Sequence, residues 1–317
     1  MKIGIDAMGG DHAPSAVIEG VIEARKSFDS DDTIILIGDS QQIHRQLDKH
    51  HCDEDKIQVV HASEIIEMDD QPTKAFNSKQ DSSISVGFQM LKNGDIDSFA
   101  SAGNTGAMLV GSFYQIGVIQ GLLRPTTAAL IPRPNGGTSI LLDVGTNPDV
   151  KPDVLNQFAI LGSVFAEFLI GVDNPKVALL NIGAEEKKGN ILIQSTYPLL
   201  KQNQEIDFIG NIEGRDIFSD QADVIVCDGF TGNIVLKQLE AFHQILVNHY
   251  PANEFTSRMD FENFGATPVI GINKPVLIGH GVSGIKAFKS MVISSKRLIK
   301  ANLKDKIRQK LAKSIVL

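Results

Sequence analysis

The side chains able to do chemistry are concentrated in short glycine-bearing turns. Asp6-Ala7-Met8-Gly9-Gly10-Asp11-His12 follows one apolar run and Ser101-Ala102-Gly103-Asn104-Thr105-Gly106 another. Asp143-Val144-Gly145-Thr146-Asn147, Asn181-Ile182-Gly183-Ala184-Glu185 and Cys227-Asp228-Gly229-Phe230-Thr231-Gly232-Asn233 repeat the theme. Glycine lets a backbone approach a ligand closely, and a helix that follows aims free N–H groups at an anion. Singly, such a turn reads equally well as a plain strand-to-helix connection. Together, with Asp, Asn, Thr and His among the glycines, they point to a collective phosphate or anion site. Within Asn181–Asn190, two acids and two lysines adjoin a strand end. A solvated charge run is the ordinary reading of such a segment, but a lysine at a strand's carboxyl end can hold a phosphate as a point charge. Asn104, Thr105 and Asn233 add neutral donors suited to an oxyanion.

Other chemistries find less support. Cys227 sits in an apolar run and reads as an inert core thiol, Cys52 lies in the polar His50-His51-Cys52-Asp53 stretch, and neither has an activating context. Only His12 and His280 fall in glycine turns, so no Ser-His-Asp order emerges. The sequence has no CxxC, HExxH, EF-hand, Walker A, GxSxG or kinase signature. Gly279-His280-Gly281-Val282-Ser283-Gly284 matches the dinucleotide pattern G-x-G-x-x-G, yet no second strand follows, and the next acid, Asp305, lies inside a basic helix. A turn presenting His280 and backbone N–H groups is the better reading. With no nucleophilic side chain apparent, direct attack of one substrate on another is the natural mechanism.

These turns need a scaffold, and the hydrophobic pattern supplies one. Strands are expected at Lys2–Asp6, Thr33–Gly38, Lys56–His61, Ser98–Ser101, Thr127–Ile131, Ser139–Val144, Lys176–Ile182, Ile206–Gly210, Asp223–Cys227 and Pro275–Ile278. Most are continuous apolar runs, such as Ile34-Ile35-Leu36-Ile37, the mark of strands covered on both faces in a parallel sheet. Helical stretches lie between them at Ala16–Ser27, Ser82–Lys92, Thr105–Val118, Pro152–Ile170 and Gly232–His249. This alternation predicts a doubly wound α/β architecture with all the glycine turns at one sheet edge. Residues 1–317 are expected to form a single catalytic unit, with Met68–Gln80 a polar loop or lid and 249–264 an exposed connection.

At 317 residues, 42% hydrophobic and 21% charged, the chain can bury a sizeable core and is not disordered. Two cysteines allow at most a single bridge. Met1-Lys2 leads straight into Ile3-Gly4-Ile5-Asp6, without the apolar core of a signal peptide. No stretch approaches the ~18 apolar residues of a spanning helix. The expectation is a cytoplasmic protein with reduced thiols, touching a membrane only peripherally. The net charge of −8 conceals an uneven distribution: residues 285–317 carry +9 and the remainder −17. There Ile299, Leu303, Ile307, Leu311 and Ile315 recur every four residues, with Lys300, Lys304 and Arg308 between them. The pattern predicts a basic amphipathic helix over 285–317. It reads either as a surface helix docked on an acidic body or as a landing surface for a negatively charged partner.

The motifs, taken in order, resemble those of the phosphate acyltransferase family, the acyl-carrier-protein:phosphate acyltransferases of bacterial phospholipid synthesis. The match runs through Asp6–His12, Ser101–Ala107, Leu142–Asn147, Leu179–Gly183 with Glu185 and Lys188-Gly189, Gly210-Asn211 with Glu213-Gly214-Arg215-Asp216, Cys227–Asn233 and His280-Gly281. The resemblance implies a Rossmann-like α/β/α sandwich with a mostly parallel sheet, as in the isocitrate and isopropylmalate dehydrogenases and phosphotransacetylases. It implies attack of orthophosphate on the thioester of a fatty acyl-acyl carrier protein, giving acyl phosphate, with no cofactor and no metal. By resemblance, Lys188 and Asn233 match positions tied to catalysis. Lys188 would stabilise charge on phosphate or the tetrahedral intermediate, and Asn233 would donate a hydrogen bond. Gly9-Gly10-Asp11-His12 and Gly103-Asn104-Thr105-Gly106 would form an anion cradle, with Asp228 orienting its neighbours and His280 completing the binding set. The implied partners are acyl carrier protein, orthophosphate, a membrane acyl-phosphate:glycerol-3-phosphate acyltransferase and a second copy in a homodimer, with no nucleic acid. The chain departs from the family pattern at Asn77, where Arg is common, and in Gly232–Phe264, which is shorter than usual.

A phosphotransacetylase-like enzyme using acyl-CoA needs the same cradle, and donor choice separates it. A hydroxyacid dehydrogenase of related architecture is disfavoured by the failed Gly279–Gly284 fingerprint. A non-enzymatic binding module has no need for Asp, Asn, Lys and His at one sheet edge.

Overall fold

The computed structural model describes residues 1–29, 31–52, 56–251 and 253–314. The chain divides into two compact units, Met1–Gly117 with Phe261–Lys300 and Val118–Asp260 with Ala301–Leu317. The first unit opens with β1 (Lys2–Asp6), α1 (Ser15–Arg25), β2 (Thr33–Gly38), α2 (Ser40–Lys49), β3 (Ile57–His61), α3 (Pro72–Ser78), α4 (Ser83–Asn93), β4 (Ser98–Ser101) and α5 (Thr105–Val110), which runs on as a π-helix over Gly111–Ile116. The second unit holds β5 (Thr126–Pro132), β6 (Thr138–Leu142), α6 (Pro152–Phe165, continued as a π-helix over Ala166–Ile170), β7 (Lys176–Asn181), α7 (Ile191–Gln202), β8 (Asp207–Glu213), β9 (Val224–Val226), α8 (Gly229–His249) and α9 (Glu254–Arg258). The chain returns to the first unit with β10 (Thr267–Ile270), β11 (Val276–Ile278) and α10 (Ile285–Ala301), and α11 (Leu303–Ser314) follows.

The expected mostly parallel α/β fold is present. In the first unit the strand order is β3-β2-β1-β4-β11-β10, parallel throughout except that β10 runs against β11. Winding reverses between β1 and β4, so the turns after Asp6 and Ser101 open at the switch point where such folds bind ligands. In the second unit the order is β5-β6-β9-β7-β8, and only β5 is antiparallel to its neighbour. Inserting β9 between β6 and β7 brings three strand ends, and their three glycine turns, side by side.

Packing explains the order. Ile34, Leu36 and Ile37 are fully buried and Ile35 nearly so, as their unbroken apolar run requires. Phe76, Phe88 and Phe99 meet edge to face, with centroids 5.8 and 5.2 Å apart. Gly87 has its place there because a Cβ would lie 2.2 Å from the Phe99 ring. In the second unit Leu141, Ala178, Leu180, Ile212 and Ile225 form the corresponding core.

Several expectations need correction. Met68–Gln80 is not all loop: Pro72 at the first turn and a Gln71 side chain accepting Lys74 N–H start α3. Residues 249–264 are not merely an exposed connection. They hold α9, whose Asn253–Thr256 capping box and buried Thr256 anchor it, while Arg258 donates to the carbonyls of Arg133 and Gly137 at 3.0 and 2.6 Å. The basic C-terminal segment is two helices, because Asn302 adopts a left-handed φ of +46° between them. Ile315, the last residue of the expected stripe, lies outside the described residues. Much of the basic charge is docked: Lys296 bridges Asp32 and Asp29 at 2.7 and 3.0 Å, Lys289 meets Glu23 and Lys310 meets Glu167. Finally, Pro152–Ile170 is long and apolar enough to span a bilayer, contrary to the sequence expectation. Its Leu155, Phe158, Leu161 and Val164 are fully buried, which makes it the core helix of the second unit.

Candidate active site

In the first unit the loops after β1, β4 and β11 meet around a buried carboxyl group. Asp6, 1% exposed, accepts Met8 N–H at 2.9 Å and the Ser101 hydroxyl at 2.6 Å. Ser101 Oγ in turn accepts Gly103 N–H at 2.9 Å. Burial raises the Asp6 pKa above its ordinary value, and hydrogen bonds from Ser101, Ser83, Met8 and Gly9 oppose that rise. A Cβ on Gly9 would sit 2.5 Å from Asp6 Oδ2 and 2.7 Å from Gly103 N, so glycine is needed for close approach within the protein itself. Asp11 N–H donates to the Gly281 carbonyl at 2.7 Å, which joins the His280-Gly281 turn to Asp11-His12.

This geometry narrows the expected cradle. The N–H groups of Gly9, Asp11 and Gly103 are already bonded inside the protein. Asn104 is not an open oxyanion donor either. Its Oδ1 caps α5 through Ala107 N–H at 2.9 Å, and its Nδ2 donates to the carbonyls of Glu67, Met68 and Asp70 at 2.9, 3.3 and 3.1 Å. It pins the 67–70 loop instead. Exposed groups remain at Asp11, His12 and Thr105, with Gly10, Gly106 and His280 partly exposed beside them. At the start of α10, Gly284 N–H donates to Glu262 Oε1 at 3.0 Å, so a carboxylate holds the place a pyrophosphate would take in a dinucleotide site.

The second unit repeats the buried acid. Asp143 is fully buried. It accepts N–H groups of Gly145, Thr146 and Asn147 at 3.2, 3.0 and 2.7 Å and the Asn147 side-chain amide at 2.6 Å. A Cβ on Gly232 would lie 1.8 Å from the Asp143 carbonyl oxygen, so glycine lets the first turn of α8 press onto this loop. Asp228 caps α8, its two carboxylate oxygens accepting Thr231 N–H and the Thr231 hydroxyl, both at 2.8 Å. It therefore orients Thr231. One residue beyond Gly232, the Asn233 side chain is exposed and lies beside Gly145, where a Cβ would stand 3.3 Å from Asn233 Oδ1. Burial, reinforced by Asp228 and Asp143, pushes the Cys227 thiol well above its ordinary pKa, so it stays protonated and inert.

Lys188 stands in the exposed turn between β7 and α7. Among the described residues it pairs with no carboxylate, whereas Glu186 of the same turn pairs with Lys201 at 3.2 Å. Leu179 is in register with Val226, so the Lys188 turn and the start of α8 leave adjacent strand ends. The sequence did not single out Asp6 or Asp143 as organisers of the turns. A usable signal was present: each is an acid closing an apolar run just before a glycine turn. Among the described residues no group of three or more His, Cys, Asp and Glu side chains is arranged to hold a metal ion.

The fold defines a class first. The chain is similar to a phosphotransacetylase from Streptococcus pyogenes, with a TM-score of 0.68 at 17% identity over 95% of this chain and 94% of that one. It is also similar to a branched-chain phosphotransacylase from Enterococcus faecalis V583, with a TM-score of 0.64 at 15% identity over 94% and 99%. At such identities the likeness is one of fold alone. Sequence carries the rest. The model of the fatty acid synthesis protein family matches residues 1–250. The phosphate acyltransferase of Dictyoglomus turgidum is 40% identical over 332 aligned positions, covering 99% of this chain and 98% of that protein. That of Thermoanaerobacterium thermosaccharolyticum is 42% identical over 330, covering 98% and 97%. The chain belongs to the phosphate acyltransferase family and is an acyltransferase enzyme.

Proposed function

We propose that this enzyme makes acyl phosphate from orthophosphate and a fatty acyl group carried on acyl carrier protein, the first step of phospholipid synthesis. A phosphate oxygen attacks the thioester carbonyl carbon, the tetrahedral intermediate collapses, the C–S bond breaks, and the thiolate of the carrier leaves and takes up a proton. The observation that carries this reading is a lysine and an asparagine, both exposed and without an ion pair or side-chain hydrogen bond among the described residues, on adjacent strand ends of a chain so similar to phosphate acyltransferases. Such a reaction needs a positive charge for the dianion and a neutral donor for the carbonyl oxygen as it gains charge. Lys188 supplies the first and Asn233 the second. In the first unit Gly9-Gly10-Asp11-His12 and Gly103-Asn104-Thr105-Gly106, with His280, form an anion-binding set. Asp228 holds Thr231 and the start of α8 in place. The whole chain, 1–317, is the catalytic unit. It works as a homodimer in the cytoplasm, with peripheral membrane contact that hands its labile product to a membrane acyl-phosphate:glycerol-3-phosphate acyltransferase.

Donor choice tests the proposal. Purified enzyme with phosphate is given acyl-acyl carrier protein and acyl-CoA side by side, and the carrier-protein thioester is expected to be consumed with the higher kcat/KM. Preference for acyl-CoA would instead make this a phosphotransacetylase-like enzyme. With the preferred donor, Asn233→Ala should lower kcat by about 10²–10³-fold, the cost of one oxyanion donor, and Lys188→Ala should lower kcat/KM for phosphate. Near-wild-type rates in both variants would overturn the residue roles.

A further inference from the structure

The turn that carries Lys188 is held from below by two asparagines with no assigned role. Asn211 of β8 donates its side-chain amide to the Glu185 carbonyl at 3.0 Å. Asn181, the last residue of β7, donates its own to the Lys188 carbonyl at 3.1 Å and accepts Ile182 N–H at 2.8 Å. Gly189, at φ +96°, folds the chain over Asn181: a Cβ there would lie 2.3 Å from Asn181 Oδ1. Leu179 is in register with Asn211 and Asn181 with Glu213, so both amides project from the same face of neighbouring strands, one step apart. On the opposite face Ala178, Leu180 and Ile212 belong to the core.

Stability alone does not explain Asn211. The residue is 8% exposed, yet its Oδ1 has no hydrogen-bond partner among the described residues. A buried acceptor left unpaired is unfavourable, and a β-branched apolar residue would suit a buried strand position better. The amide cannot simply turn over, because its oxygen would then face the Glu185 oxygen. The carbonyl it serves has a second donor, Lys188 N–H at 3.1 Å, so the turn would keep its hydrogen bonding without Asn211. What the asparagine adds is a fixed position for residues 185–188.

We propose that Asn211 and Asn181 are positioning residues for Lys188, clamping the two ends of its turn so that the ammonium is held at one place on the sheet edge. The inference rests on the role given to Lys188 above. Displacement of a reacting or charge-bearing group by about 1 Å can cost about 10²-fold in rate, so the clamp is read in kinetics and not in folding.

A double-mutant cycle tests it. Asn211→Val, Lys188→Ala and the double variant are compared by kcat/KM for phosphate and by thermal unfolding. Asn211→Val is expected to lose 10-fold or more in the wild-type background, to lose less than 2-fold in the Lys188→Ala background, and to melt within a few degrees of wild type. Asn211→Asp, the same shape without the donor, should reproduce the loss, and is scored in its place should the valine variant fail to fold. Asn181→Asp should act in the same direction. Equal losses in both backgrounds, or no loss in the wild type, would overturn the clamp while leaving Lys188 catalytic. Near-wild-type activity of Lys188→Ala would overturn the role of Lys188 and the clamp with it.

Discussion

Asp6 and Asp143 are both buried acids at the carboxyl end of a strand, yet they are satisfied differently. Asp143 collects three consecutive backbone N–H groups and a side-chain amide from the loop Gly145 to Asn147, and one hydroxyl, that of Thr127 in β5, at 3.3 Å. Asp6 works partly through hydroxyl groups, one of which passes the interaction on to Gly103 in a second loop. Asp143 closes its own turn and ties it to a neighbouring strand; Asp6 joins two turns. In both units the glycine turns have internal acids to serve, so fewer of their N–H groups face outward than their number suggests. The exposed groups are Asp11, His12 and Thr105 in the first unit, and Asn233 and the Lys188 turn in the second.

This contrast can be broken most severely at Asp143. Asp143→Ala removes the acceptor of the buried Asn147 N–H, of the half-buried N–H groups of Gly145 and Thr146 and of the Thr127 hydroxyl, and a loss of about 3–5 kcal/mol is expected in urea unfolding. A loss below about 1 kcal/mol would mean that the loop does not depend on the acid. Asn104→Ala comes next. It removes the cap of α5 and the pin of the 67–70 loop together, for about 1–2 kcal/mol, with faster proteolysis within 67–70. Asp6→Asn should cost about 1 kcal/mol, because the amide retains an acceptor for Met8 and a donor for Ser101 but accepts fewer of the four groups that bond the carboxyl. Its effect is to change the pH dependence. The folded pKa of Asp6 lies above 3.8. Stability from its bound proton is therefore fully present below pH 3.8 and is lost as pH rises through the folded value. Relative to Asp6→Asn, the wild type should lose stability across that interval and run parallel above it. The opposite slope would show an acid held ionised by its donors. The smallest effect on folding belongs to Lys304→Glu with Arg308→Glu, neither of which is ion-paired among the described residues. Stability should stay within about 0.5 kcal/mol, while KM for a carrier-protein donor should rise. An unchanged KM would leave α11 a structural helix.

Sheet and turns were legible because buried parallel strands leave unbroken apolar runs such as Ile34–Ile37, with glycine marking each strand end. α2 escaped notice because only Ile43 and Leu47 face the core. β10 escaped because Pro268 makes a short strand look like a loop. The candidate site was legible as a set of turns but not as a set of open groups. A glycine that makes room for a ligand and one that makes room for Asp6 or the Asp143 carbonyl look alike in sequence. Asn233 stood out as a neutral donor in a glycine turn, and Lys188 was singled out from its charge run through family resemblance. The asparagines beneath Lys188 did not, since a polar residue within a strand declares neither its partner nor its orphan oxygen. The break at Asn302 was hidden by an apolar repeat that continues across it.

The most direct measurement of the central claim is hydroxylamine trapping of the product. Purified enzyme with fatty acyl-acyl carrier protein should yield acyl hydroxamate at a rate that rises with orthophosphate and saturates, falling at least 10²-fold in Asn233→Ala. Release of free carrier protein with no phosphate-dependent hydroxamate would contradict the account, since the acyl group would then be going to an acceptor other than phosphate.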